Sequence, residues 1–227
     1  MTVKESSSAA HEEPVPAGQI RRYTFHERAC HWISGFVYTY LLATGMAFYT
    51  PHLFWMAVVL GGAPTSRFWH PILGVVFSLV SLWMHAIWRG DMVMGSAADR
   101  AWMDNIKYYV TNQDSRVPPQ GRFNAGQKLY FWAMFYGTIF LLLSGLVMWF
   151  PEYIPFHLAW IRRIAVLIHE VSALITIGAF IVHIYMGVFM MPQGILGMMM
   201  GYVPRSWARE HHRLWYDEVT QGESGSR

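Results

Sequence analysis

Four long apolar blocks constrain this chain more than any other feature. They are Ile33–Tyr49, His70–Trp88, Leu129–Phe150 and Ile164–Met190. A helix needs roughly 20 mostly apolar residues to cross a hydrocarbon core about 30 Å thick. Within lipid the backbone must satisfy its own hydrogen bonds, which predicts a helix for each block. A soluble amphipathic helix would carry a polar stripe, and these blocks have none. Charged residues make up 14% of the chain, against about 25% in soluble domains. Trp32, Trp69, Trp88, Trp132 and Trp149 fall near block ends, as interfacial aromatics do. The expectation is an all-α membrane protein, a bundle of four transmembrane helices.

Charge placement sets the orientation. Of the 17 Lys and Arg residues, only Arg67, Arg162 and Arg163 lie on the side opposite the termini. The excess of basic residues marks the cytoplasmic face. Both termini and the loop between the second and third helices are therefore expected in the cytoplasm. Residues 1–22 read as a disordered polar tail without the apolar core of a cleavable signal. Residues 23–205 form the helical domain, and 206–227 a cytoplasmic C-terminal tail. The single cysteine, Cys30, excludes an internal disulfide, a cysteine-held iron–sulfur cluster and a C-x-x-C-H haem attachment. No glycine-rich phosphate loop, triad spacing, nucleic-acid stripe or internal repeat stands out.

The fourth block holds His169 and His183. Fourteen residues bring them within roughly 40° of one helix face and about 21 Å apart along the axis. One imidazole then sits near each leaflet, as two stacked metal centres would require. A b-type haem takes two axial ligands and fits between bundle helices. His70 matches the depth of His169 at the opening of the second helix. His31, at the opening of the first, matches His183, and His85 is a rival at that depth. Intramembrane histidines also serve as plain hydrogen-bonding groups, which suits His85. His26, His52, His157, His211 and His212 lie outside the spans and read as solvent or partner contacts. Glu170 beside His169 is open to interfacial water, a partner subunit or a proton relay.

A second constellation stands where the middle loop enters the third helix. Asn124 and Gln127 offer carboxamides, Gly126 allows close backbone approach, and Lys128 adds charge. A quinone needs hydrogen bonds for two carbonyls beside an apolar slot. Helix capping by Asn124 accounts for the same residues, and the two readings are compatible.

The segments ERACHW (Glu27–Trp32), HPILG (His70–Gly74), FNAGQK (Phe123–Lys128), LIHEVSA (Leu167–Ala173), IVHIYMG (Ile181–Gly187) and RSWAREHHRLWY (Arg205–Tyr216) together resemble the cytochrome b, or gamma, subunit of membrane-bound formate dehydrogenases. The resemblance covers roughly Tyr23 to Tyr216. It implies four transmembrane helices and two b haems, with His31 and His183 as axial ligands of the cytoplasmic one and His70 and His169 of the periplasmic one. It implies a quinone site at Asn124, Gly126 and Gln127. The implied partners are an iron–sulfur subunit and a molybdenum- or tungsten-pterin catalytic subunit in a bacterial inner membrane. The longer polar N-terminal tail departs from the family.

The chain then reads as an electron conduit from a formate-oxidising partner through two haems to quinone. It carries no formate chemistry of its own. Each charge moved inward is worth about 2.3 kcal/mol per 100 mV. The alternative is the cytochrome b subunit of a nickel–iron hydrogenase or a thiosulfate- or polysulfide-type reductase, which neighbouring genes would reveal. A haem-free anchor would lack a b-type spectrum. A stand-alone cytochrome would purify without an iron–sulfur partner.

Overall fold

The computed structural model describes residues 14–225. Residues 1–13 and 226–227, with Lys4 and Arg227 of the charge count, lie outside the described residues. Four long helices form the body: α1 (Phe25–Tyr49), α3 (Ala63–Trp88), α6 (Ala125–Trp149) and α7 (Trp160–Ile184). A π-helical turn (Tyr185–Met190) continues α7. The short α2 (Trp55–Val59) joins α1 to α3, while α4 (Ala97–Asp104) and α5 (Ile106–Val110) lie in the loop before α6. After the π turn come α8 (Pro192–Met200), α9 (Arg205–His211) and α10 (Arg213–Gly225). The long helices pack α1 on α3, α3 on α6 and α6 on α7. Each reverses direction, so one end of the bundle carries both described chain ends, here called the near end.

Three stretches are long and apolar enough to cross a membrane: Ala63–Trp88, Ala125–Trp149 and Phe156–Met190. Helix α1 is as long as α6 but less apolar, because Tyr38, Thr39, Tyr40 and Thr44 interrupt it. The exposed residues of α7 include Leu174, Ile175, Ile181 and Val182, each at least half exposed. An apolar face of that size calls for lipid or a partner. The chain is an integral membrane protein.

The helices start earlier than the apolar blocks, because caps rather than hydropathy set their ends. At Thr24 the hydroxyl accepts from the Glu27 N–H, and the Glu27 carboxylate accepts from the Thr24 N–H. Asn124 and Gln127 make the same reciprocal box for α6. His31 and His70 therefore lie well inside α1 and α3 rather than opening them. Pro71 stands inside α3 beside His70, where its missing N–H leaves the Arg67 carbonyl without its usual donor.

Both expected tails are partly folded. Gln19–Arg21 forms strand β1, antiparallel to β2 (Tyr202–Pro204), with Ile20 opposite Val203. Ile20, Val203, Ala208 and Trp215 form a small core. Arg22 is buried, with its guanidinium 5.0 Å above the Trp215 ring. His212 is not a solvent contact as its sequence position suggests. Its Nδ1 donates to the Gly121 carbonyl at 2.8 Å, and its Nε2 accepts from Arg22 Nη2 at 3.1 Å. Burial and the Arg22 charge hold this imidazole well below its usual pKa, so it is neutral. In the unfolded chain it titrates at about 6.5. The folded state should thus lose stability as pH falls below that value, when the unfolded state binds the extra proton. Thermal unfolding in detergent should show Tm falling from pH 7 to pH 5, and His212→Gln should flatten that slope.

The two capped helices show a repeat that the apolar blocks alone did not reveal. Helices α1 and α6 occupy matching positions one hundred residues apart, from their caps at Thr24 and Asn124 to Pro51 and Pro151 beyond their ends. Arg22 matches Arg122, Trp32 matches Trp132, and Gly45 matches Gly145. The two arginines bond reciprocally: Arg22 Nη2 donates to the Arg122 carbonyl at 2.8 Å, and Arg122 Nη2 to the Arg22 carbonyl at 2.7 Å. The starts of α1 and α6 are thus both matched in sequence and bonded to each other.

Candidate metal-ligating sites between the helices

The bundle brings the four expected histidines together in two pairs. At the near end, His31 on α1 faces His183 on α7 with ring centres 6.0 Å apart. At the far end, His70 on α3 faces His169 on α7 at 6.4 Å. A ligating imidazole nitrogen lies about 2 Å from its metal and about 1 Å from its own ring centre, so two imidazoles on opposite sides of one metal have ring centres about 6 Å apart. Both pairs match that spacing. Among the described residues no cluster of three or more His, Cys, Asp or Glu could hold a bare ion. A metal whose remaining ligands come from a flat macrocycle fits two imidazoles. Gly35 and Gly74, each one turn beyond a histidine of the pairs, face open space where a Cβ would meet nothing within 4 Å.

The far-end pair has second contacts that sequence reading missed. Thr44 Oγ1 donates to the Tyr40 carbonyl at 2.8 Å and lies 2.7 Å from His70 Nδ1. Ser144 Oγ donates to the Phe140 carbonyl at 2.6 Å and lies 3.0 Å from His169 Nδ1. A hydroxyl whose proton is used can only accept, so each Nδ1 carries the hydrogen and each Nε2 keeps its lone pair for a metal. Gly45 and Gly145 follow these hydroxyl residues. A Cβ there would stand 3.6 Å and 3.4 Å from the Cε1 atoms of His70 and His169. The signal was present in the sequence as Thr-Gly and Ser-Gly pairs, each twenty residues after a cap.

The near-end pair is set differently. Tyr130 of α6 stacks on His183 with ring centres 4.3 Å apart and planes 7° from parallel. His31 Nδ1 is buried without a hydrogen-bond partner among the described residues. His85 does not face His183. It stacks on Phe135 at 4.2 Å and on Phe131 at 5.9 Å. The repeat explains this: Phe131 stands where the other copy has His31, and Phe135 where it has Gly35. Aromatic rings fill the position that lies open beside His31. Glu170 is exposed on α7.

The Asn124 segment is packed rather than open. Asn124 is buried, and its Oδ1 accepts from the Gln127 N–H at 2.9 Å. Gln127 Oε1 accepts from the Asn124 N–H at 2.9 Å. Trp102 of α4 covers Gly126, where a Cβ would stand 2.7 Å from Trp102 Cη2. Lys128 is not a free charge, because Asp99 pairs with its Nζ at 2.8 Å. Burial pushes the Asp99 carboxyl up, but hydrogen bonds from Lys128 and Ser96 outweigh it and hold the carboxyl below its usual range. With both carboxamide oxygens in the cap, the side-chain NH2 groups of Asn124 and Gln127 are the donors left to a ligand carbonyl. Trp88, expected at an interface, is instead buried and donates to Glu27 at 2.6 Å.

A membrane helix bundle that offers opposed imidazoles to a flat metal group is the scaffold of a b-type cytochrome. Residues 22–201 match the family described as prokaryotic cytochrome b561. The chain belongs to this family of membrane electron-transfer cytochromes, which bind haem b. It is 33% identical over 201 residues to the formate dehydrogenase cytochrome b556(fdo) subunit of Escherichia coli (strain K12), covering 88% of this chain and 93% of that one. It is 30% identical over 205 residues to the nitrate-inducible formate dehydrogenase cytochrome b556(Fdn) subunit of the same organism, covering 90% and 94%. A formate dehydrogenase cytochrome b556 subunit of Haemophilus influenzae is 29% identical over 200 residues, covering 88% and 83%.

Proposed function

We propose that this chain is the membrane anchor and electron-transfer subunit of a respiratory formate dehydrogenase. It receives electrons from an iron–sulfur subunit, whose own partner is a molybdenum- or tungsten-pterin catalytic subunit, and delivers them to membrane quinone. The observation that carries this reading is the pair of imidazole–imidazole spacings, 6.0 Å and 6.4 Å. The names of the relatives favour formate over hydrogen as the partner's substrate.

In this reading α1 is a fourth crossing, and both termini face the cytoplasm. His31 with His183, and His70 with His169, hold one haem b each. Haem supplies one-electron redox chemistry at its iron. These four residues would supply the ligating nitrogens, at two levels about 21 Å apart along α7. Residues 23–205 form the working domain. Quinone would bind at the cytoplasmic end, beside Gly126, where the free NH2 groups of Asn124 and Gln127 would donate to its carbonyls.

Formate added to the purified complex should bleach the oxidised b-type spectrum and yield the reduced one. A complex whose b-type spectrum ignores formate would refute the assignment. Asn124→Ala should slow quinone reduction at least tenfold with haem content unchanged, while the lost cap costs about 1 kcal/mol of stability. Unchanged quinone turnover would remove Asn124 from the site.

A further inference from the structure

The two imidazole pairs differ in one respect that bears on electron flow. At the far end both rings have oxygen acceptors: Thr44 Oγ1 lies 2.7 Å from His70 Nδ1, and Ser144 Oγ lies 3.0 Å from His169 Nδ1, with the Leu141 carbonyl as a second partner of His169. Among the described residues, His31 Nδ1 at the near end has none, and His183 has a stacked tyrosine instead of a hydrogen-bonded oxygen. The far-end contacts are also copies of one another. Thr44 and Ser144 lie one hundred residues apart in matched helices, each bonds back to the carbonyl four residues earlier, and each precedes a glycine against the same imidazole. Two similar hydroxyls kept in both halves, each spending its proton on its own helix, make an acceptor for an imidazole N–H.

We infer that Thr44 and Ser144 are positioning residues that hold His70 and His169 as Nε2 ligands and set the far-end reduction potential below that of the near end. This rests on the haem reading above. An acceptor at Nδ1 makes the imidazole a more basic ligand. A more basic ligand favours the oxidised metal and lowers its potential, one of the levers a protein holds over a haem. Two such bonds act at the far end and none at His31. Electron transfer from the far site to the near one is then downhill, from the partner side toward the Asn124 segment.

The test is a redox titration of the haem absorption of the intact, detergent-solubilised complex, with the far-end component defined as the one His169→Ala removes. Thr44→Val, which removes the acceptor at His70, should raise the far-end potential and leave the near-end one in place; Ser144→Ala, which leaves His169 the Leu141 carbonyl, should raise it less. A tenfold change in the ratio of oxidised to reduced haem corresponds to about 59 mV for one electron, the size expected for Thr44→Val. Thr44→Ser and Ser144→Thr, which keep the hydroxyl, should stay near the starting value. Should Thr44→Val lose the far-end component outright, its return in Thr44→Ser supports the positioning role, and its continued absence there counts against it. Both components present with the far-end potential unmoved, or both shifted equally, overturns the inference while leaving the haem assignment intact. A wild-type complex without any b-type absorption sinks the underlying reading instead.

Discussion

The His169→Ala variant should lose the far-end haem and keep the near-end one, halving the amplitude of the reduced-minus-oxidised b-type spectrum. The alanine removes one of two opposed ligands and leaves His70 with Thr44 alone. The near-end pair lies about 21 Å away along α7 and shares no side chain with the far-end pair except through the helix itself. Ser144, deprived of its imidazole, still bonds the Phe140 carbonyl, so the helix is not broken. Haem content per polypeptide, measured on the purified complex, checks the result. His85→Ala serves as the control. Its ring lies among Phe131, Trp132 and Phe135, and its loss should leave both haems bound.

Glu27→Ala should destabilise the near end by about 3 kcal/mol, toward the lower end for a broken buried charge pair. Glu27 is 3% exposed. Its carboxylate accepts from the Thr24 N–H at 2.7 Å, from Trp88 Nε1 at 2.6 Å and from Arg122 Nη2 at 2.6 Å. It thereby ties the cap of α1 to the last turn of α3 and to the loop entering α6. Removing it orphans the Trp88 N–H and leaves Arg122 with Asp91 at 2.7 Å as its remaining carboxylate. Glu27→Gln keeps a single acceptor oxygen, for either the Thr24 N–H or the Trp88 N–H, and turns an NH2 toward the other donor, so it should recover only part of the loss. The double variant Glu27→Ala, Arg122→Met should recover part of the loss, since removing both charges avoids the desolvated arginine. Thermal unfolding of the detergent-solubilised protein, followed by Trp fluorescence, distinguishes the three.

What the sequence made legible follows from its physics. Long apolar runs and the period of the helix located the four helices and put His169 and His183 on one face, because those signals are local. Helix starts were misread, since capping boxes at Thr24 and Asn124 extend helices beyond the apolar residues that define a block. The internal repeat was hidden because apolar positions in a membrane helix exchange freely. What repeats is sparse: an arginine, a cap, a tryptophan, a hydroxyl before a glycine, and a proline. Spacing favoured His31 over His85 without excluding the latter, since their depths are nearly the same. The choice depends on Phe131 and Phe135 filling one copy where the other copy has His31 and Gly35. Thr44, Ser144 and Tyr130 went unnoticed because one hydroxyl or ring in an apolar helix means little until its neighbour across the bundle is known.

A near-atomic map of the purified complex by electron cryomicroscopy tests the central claim most directly. Slabs of macrocycle-sized density, one between His31 and His183 and one between His70 and His169, are the predicted result. Imidazoles at those positions in contact with side chains or lipid alone, with no macrocycle between them, would contradict it.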